Sequence, residues 1–168
     1  ENMYVVFLVT PHHRNVARSL LKEPKVYFYD NGLVRGEGAK LENLVACALK
    51  KKLDRLGDEM GVLTKLCYLR TKDKRELDFA AVIEDKVVSL IEVKTSNDSP
   101  SQAFRHFGKF LPDVNSSQLV LNLEREKTYP DGTEVRGLVK WLTELDLSKH
   151  IPSGPLKENR SSKGEKTP

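Results

Sequence analysis

The sequence predicts an α/β fold, a central mixed sheet flanked by helices, with core elements in the order αβββαβ. Three observations predict it. Residues 39–56 carry apolar side chains at the spacing of a helix that buries one face. Runs rich in β-branched and aromatic residues follow at 65–71, 75–83 and 87–94, separated only by short polar turns. A second amphipathic helix at 101–111 and a strand at 118–123 complete the order.

The chain has 168 residues, enough for one domain with a real core and too few for two ordinary ones. We expect that domain to span 1–150, with leading strands over 1–30, the core over 36–123, and a closing strand and helix over 133–147. From 151 to 168 the composition is Pro, Gly, Ser, Lys and Glu, which predicts a flexible tail. An apolar fraction of 39% and a charged fraction of 31% suit a soluble protein. The net charge of +4 resides largely in that tail and supports nucleic-acid contact only weakly. Cys47 and Cys67 fall in a helical and a strand-like pattern and read as small core residues, which points to a reducing, cytoplasmic compartment. No apolar run reaches the length of a membrane span and no signal peptide is visible, so no membrane partner is expected. The chain opens at Glu1 and runs at once into a strand, as a piece of a larger protein would.

Taken in order, residues 4–9 (YVVFLV) read as a buried strand ended by Thr10-Pro11. His12 and His13 lack a third nearby ligand and read as a solvated turn. Residues 15–22 predict a short helix stopped at Glu23-Pro24, and 25–29 a second aromatic strand before the Asp30-Asn31-Gly32 turn. Gly36-Glu37-Gly38 leads into the long helix. A phosphate-binding loop would need Gly-Lys-Ser/Thr, whereas Gly38 is followed by Ala39, Lys40 and Leu41, so no nucleotide site is expected.

On the helix, Leu41, Leu44, Val45, Ala48, Leu49, Leu53 and Leu56 define one broad face, and Gly57 is the expected stop. Glu42 projects inside that face, between Leu49 and Leu53. An acid there finds a partner or costs stability. It also fits the edge of the stripe, where the helix N-terminus favours a negative charge. Lys52 shares the stripe and can snorkel outward. Ser99 and Pro100 read as N-cap and first residue of the second helix. After the strand at 118–123 come a turn at 129–132, a strand at 134–136 and a helix at 138–145 in which Trp141 packs.

Chemistry concentrates in residues 74–94, KRELDFAAVIEDKVVSLIEVK. Two strands here carry Asp78 on the first and Glu92-Val93-Lys94 on the second. Side chains alternate along a strand, so the turn decides what meets. A two-residue loop at Glu84-Asp85 would send Asp78 and Glu92 to opposite sides. A three-residue loop, or a bulge of equal effect, brings Asp78 opposite Glu92 and Glu76 opposite Lys94, and this arrangement is the expected one. Opposed carboxylates repel unless a hard cation such as Mg²⁺ or Mn²⁺ turns repulsion into coordination. Lys94 would then help align water and offset charge at a phosphodiester.

Asp78 with Glu92-Val93-Lys94 resembles the PD-(D/E)xK motif of the restriction-endonuclease-like superfamily, whose core is αβββαβ. Glu42 matches the extra acid those proteins often carry on their first helix, and Leu77 stands where the motif has proline. KVYFYDNGLV, GAKLENLVACAL, YLRTKDKRELDF and SLIEVKTS are similar to the domain found behind the P-loop module in many prokaryotic AAA-type ATPases. Some members of that group have lost acidic positions, whereas Glu42, Asp78, Glu92 and Lys94 are all present here.

The resemblance implies a restriction-endonuclease-like domain with an N-terminal ATPase partner and DNA as substrate. It implies Mg²⁺ or Mn²⁺ held by Asp78, Glu92, the Val93 carbonyl and Glu42. The expected catalytic set is Asp78, Glu92, Lys94 and Glu42. Gln102 joins it where related nucleases often place a glutamine, with an exposed helix residue as the plain alternative. Arg105, His106 and Lys109 are candidates for phosphate contact, with ordinary surface charge as the alternative. Three readings stay open: metal-dependent DNA hydrolysis, a catalytically inactive DNA- or protein-binding regulatory domain, and a structural α/β domain in which the Glu-x-Lys is accidental.

Overall fold

A computed structural model of the chain describes residues 4–12 and 23–151. His13, the helix expected at 15–22 and the tail expected after 151 lie outside the described residues. Eight strands form one mixed sheet: β1 (Val6–Pro11), β2 (Lys25–Phe28), β3 (Thr64–Arg70), β4 (Glu76–Ile83), β5 (Lys86–Lys94), β6 (Asn115–Val120), β7 (Lys127–Thr128) and β8 (Glu134–Gly137). Their order across the sheet is β2-β1-β3-β4-β5-β6-β8-β7. The helices are α1 (Glu37–Met60), α2 (Gln102–Gly108) and α3 (Leu138–Glu144). The predicted α/β class and the order αβββαβ, from α1 to β6, are both present. Among the described residues no helix is long and apolar enough to cross a membrane.

α1 buries Leu41, Val45, Ala46, Leu49, Leu53 and Leu56 against Phe79, Ala81, Ile83, Ile91 and Val93 of the central strands. Leu138 and Trp141 of α3 join this larger core. On the other face Ala103 and Phe104 of α2 cover Cys67, Leu69, Leu77, Ala80, Val82 and Leu90. Each fully buried leucine in such layers contributes about 1.5–3 kcal/mol. Both cysteines are free thiols.

Several element boundaries differ from expectation. Gly57 lies inside α1, which continues to Met60 and stops at Gly61, a left-handed residue (φ 65°). The absent side chain at Gly57 has a packing reason: a Cβ there would stand 3.2 Å from Thr64 Oγ1 and 3.3 Å from the Val62 carbonyl. Leu44 is exposed, because the buried arc turns the other way and takes in Asn43. Asn43 accepts from the Phe28 amide and donates to its carbonyl, tying α1 to the end of β2. α2 is capped by Ser101, whose side chain accepts from Ala103 N, rather than by Ser99. β6 begins at Asn115, three residues early, because parallel pairing with β5 recruits Asn115, Ser116 and Ser117 whatever their polarity.

Two bulges shape the centre of the sheet. The β4–β5 turn holds only Glu84 and Asp85, both at positive φ (49° and 60°), the pattern of a tight type I′ hairpin. Ile83 pairs with Lys86 and Val82 with Val87, yet Ala81 pairs with Ser89. Val88 is therefore the extra residue, so the expected one-residue offset lies within β5 instead of in the loop. Across β3, Cys67 pairs with Ala80 but Leu69 with Leu77, leaving Tyr68 opposite both Asp78 and Phe79. Leu77 and Ala80 accordingly share a face although three residues apart.

Asp85 sits where a type I′ turn favours glycine. Asp85→Gly is expected to stabilise the fold by about 0.5–1 kcal/mol, a rise in Tm of roughly 1–4 °C by circular dichroism. A fall in Tm would show that the Asp85 side chain contributes more than its backbone strain costs.

Candidate functional site

Beyond the Phe79–Ile91 pair, side-chain bonds take over between β4 and β5. The Val93 amide donates to Asp78 Oδ2 at 2.9 Å, and Glu92 Oε2 lies 3.4 Å from the Asp78 amide. Lys94 Nζ donates to Glu92 Oε1 at 2.6 Å. Asp78, Glu92 and Lys94 thus come together at one end of the central strands. Glu92 is nearly inaccessible, with 7% of its side chain exposed, and Lys94 opens outward at 38%.

Glu42 reaches the same cluster from the first turns of α1. Its Oε1 accepts from Tyr27 Oη at 2.6 Å and from Lys25 Nζ at 3.2 Å. Lys25 also lies 2.6 Å from Glu76 Oε1 and 3.6 Å from Asp78 Oδ1, with the Tyr68 ring centroid 5.5 Å away. Arg70 Nε stands 3.5 Å from Glu76 Oε2.

Lys25, Tyr27, Tyr68 and Glu76 are site residues that the reading of the sequence did not assign. Lys25 and Tyr27 are adjacent-face positions on one short strand, and only the docking of β2 beside Glu42 gives them a role. Glu76 shares a strand with Asp78, two residues earlier, and that spacing was the available signal.

Gln102 is exposed in the first turn of α2. The buried glutamine of this region is Gln118 on β6, aligned with Glu92 and 0% exposed. Its Nε2 donates to the carbonyls of Asn97 and Ser99, and its Oε1 accepts from Ser101 N. It therefore fixes the loop that leaves the Glu92-Val93-Lys94 strand and enters α2. Arg105 on α2 and Lys109 at its C-cap are exposed, whereas His106 Nδ1 lies 2.8 Å from an Arg75 guanidinium nitrogen and stacks edge-on with Phe107 and Phe110.

Burial and the charges of Glu92 and Glu42 push the Asp78 carboxyl up from 3.8 to about 7, against the Val93 hydrogen bond and Lys25, which pull it down. Burial lowers the Lys94 ammonium, but its Glu92 hydrogen bond and the surrounding acids outweigh that and hold it above the usual lysine value. Lys25 is raised by the same balance, with Glu76, Glu42 and Asp78 opposing burial. Burial and the Glu42 charge keep Tyr27 a phenol, so it donates to Glu42. Both lysines are cations at neutral pH, able to donate and to offset charge but not to accept a proton.

Glu42, Glu76, Asp78 and Glu92 set four carboxyl groups against the Lys25, Lys94 and Arg70 cations. Among the described residues no group of three or more His, Cys, Asp or Glu is arranged to chelate a metal. Mg²⁺ needs less, since it is commonly held by one or two carboxylates and completes its shell with water and phosphate. Two close hard-oxygen carboxylates, one of them driven toward protonation by burial and by its neighbours' charges, fit such an ion. A separate cavity of 230 Å³ beside Ser89, Arg136 and Trp141 lies toward the opposite end of β5 and shares none of these groups.

The fold and the cluster define a mixed α/β domain with acids and lysines gathered at the ends of its central strands. The family model DUF4143, a domain of unknown function, matches residues 37–141. The chain belongs to that family. The match starts at the first residue of α1, so β1 and β2, with Lys25 and Tyr27, precede it. No curated protein and no solved structure matches the chain.

Because Asp78 titrates higher in the folded chain than its ordinary 3.8, the folded state binds the extra proton between about pH 4 and 7. Its contribution to stability therefore declines as pH rises through that window. Asp78→Asn keeps an acceptor for Val93 N and removes the charge. It is expected to be about 1–2 kcal/mol more stable than wild type near pH 8, with the gain vanishing toward pH 4, in urea unfolding across pH. A wild type that is the more stable near pH 8 would refute this account of the crowding.

Proposed function

We propose that the chain is a nuclease-like domain that hydrolyses DNA phosphodiesters with a divalent metal ion, attached in the full protein to a P-loop ATPase module. The observation that carries the reading is the convergence of Asp78, Glu92 and Lys94 where β4 and β5 part, with excess negative charge around them. Asp78, Glu92 and the Val93 carbonyl would hold Mg²⁺ or Mn²⁺, with Glu42 close behind. When bound, the ion supplies Lewis-acid activation of water and of the phosphate.

The chain's own residues supply the rest. Lys94, fixed as an ammonium by Glu92, is placed to donate to a phosphate oxygen and offset the charge that develops there. Glu92 orients that ammonium, and the Val93 amide orients Asp78. Lys72, Lys74, Arg75, Arg105 and Lys109 are exposed on the β3–β4 turn, on α2 and at its C-cap, and suit contact with the phosphate backbone. The His106–Arg75 contact joins those two elements.

A regulatory domain without catalysis is the second reading. The observation in its favour is Lys25, which already neutralises part of the acid cluster. It calls for salt-dependent DNA or protein binding with neither metal uptake nor cleavage.

The deciding assay incubates supercoiled plasmid DNA with the purified chain and Mg²⁺ or Mn²⁺. Nicking that EDTA stops is expected, and Asp78→Ala or Lys94→Ala is expected to reduce it at least about a hundredfold. Cleavage that survives either substitution would sink the proposal.

A further inference from the structure

Lys25 has a placement unlike that of an ordinary strand lysine. Its side chain is only 25% exposed, and its ammonium lies among carboxylates from two elements, Glu42 of α1 and Glu76 and Asp78 of β4. The contacts are graded: 2.6 Å to Glu76, 3.2 Å to Glu42 and 3.6 Å to Asp78. The weakest is therefore to the acid nearest Glu92, and the strongest to the acid furthest from it in the strand.

We infer that Lys25 is a tethered counter-cation that competes with a divalent ion for Glu42 and Asp78. This rests on the metal-dependent reading above. The ammonium holds these acids together when no divalent ion is bound and yields Asp78 when one binds. A hard divalent ion gains more from those oxygens than a single-charged ammonium does. Lys25 has a fallback position, since Glu76 holds its ammonium at 2.6 Å, closer than Asp78 does, and the Tyr68 ring centroid lies 5.5 Å away. The ionic state of the site is thereby tied to β2, the strand that carries Lys25.

Mn²⁺ binding, read from the electron paramagnetic resonance signal of the free ion, tests this. Lys25→Met is expected to bind Mn²⁺ about tenfold more tightly than wild type, because the cluster has lost its resident cation. Lys25→Arg, which keeps the charge, is expected to stay within about twofold of wild type. In the wild-type chain, acylation of Lys25 by an N-hydroxysuccinimide ester, located by mass spectrometry, is expected to accelerate at saturating Mn²⁺. This second readout does not depend on a variant folding. Equal or weaker Mn²⁺ binding by folded Lys25→Met, or labelling unchanged by bound Mn²⁺, overturns the inference and leaves the metal reading standing. Absence of Mn²⁺ uptake by wild type and Lys25→Met alike, at millimolar ion, removes the metal reading and the inference together.

Discussion

Four carboxylates share one end of the central sheet, and much of the local structure exists to hold them there. At about 4 Å two like charges repel by roughly 4 kcal/mol at the effective dielectric typical near a protein surface. The chain answers with cations and donors drawn from three strands. Lys25 and Tyr27 come from β2, Arg70 from β3, Lys94 and the Val93 amide from β5, while α1 delivers Glu42 into the same space. The balance is incomplete: burial, with the charges of Glu92 and Glu42, takes the Asp78 carboxyl to about 7 despite Lys25 and a backbone donor. Apolar residues at these positions would remove the penalty, so packing alone gives no reason for the cluster.

Geometry at the cluster depends on two inserted residues. Without the bulge at Val88, the register of the two-residue turn would run on, pairing Asp78 with Ile91 and Leu77 with Glu92, so that Glu92 would be out of step with Asp78. Without the Asp78–Phe79 bulge against Tyr68, Leu77 would leave the α2 core and point toward α1. Bulges twist a strand and re-aim side chains. Here they allow uninterrupted apolar layers on both faces of β4 and still bring acids together at its end.

The sequence was legible where local pattern sufficed. Helical spacing exposed α1, the alternation of β4 and β5 exposed the hairpin, and Asp78 with Glu92-Val93-Lys94 stood out as charges within strands. The required one-residue offset could be deduced, but its location could not, because a type I′ turn and a bulge sum to the same register as a longer loop. Leu44 and Asn43 were misjudged on α1 because Asn43 is buried for its two bonds to Phe28, a partner separated from it by 15 residues. Lys25 and Gln118 failed for the same physical reason. Each is one polar residue in an ordinary strand until a distant element supplies its partners.

Lys25 and Lys94 look equivalent by charge, yet their surroundings separate them. Lys94 meets one buried acid and is 38% exposed, so its remaining donors face solvent. Lys25 is more enclosed and shares its donors among three acids, so it has little left for an external ligand. Neither is a base while the acids keep it protonated. A group of this cluster that accepts a proton is therefore a carboxylate oxygen and not a lysine nitrogen. Burial first, then the charges of Glu92 and Glu42, raise the Asp78 carboxyl, and an added cation lowers it. The same carboxylate thus passes from a half-protonated group to a fully ionised one as positive charge arrives. That dependence, more than the identity of any single residue, ties the charge state of this end of the sheet to the cations around it.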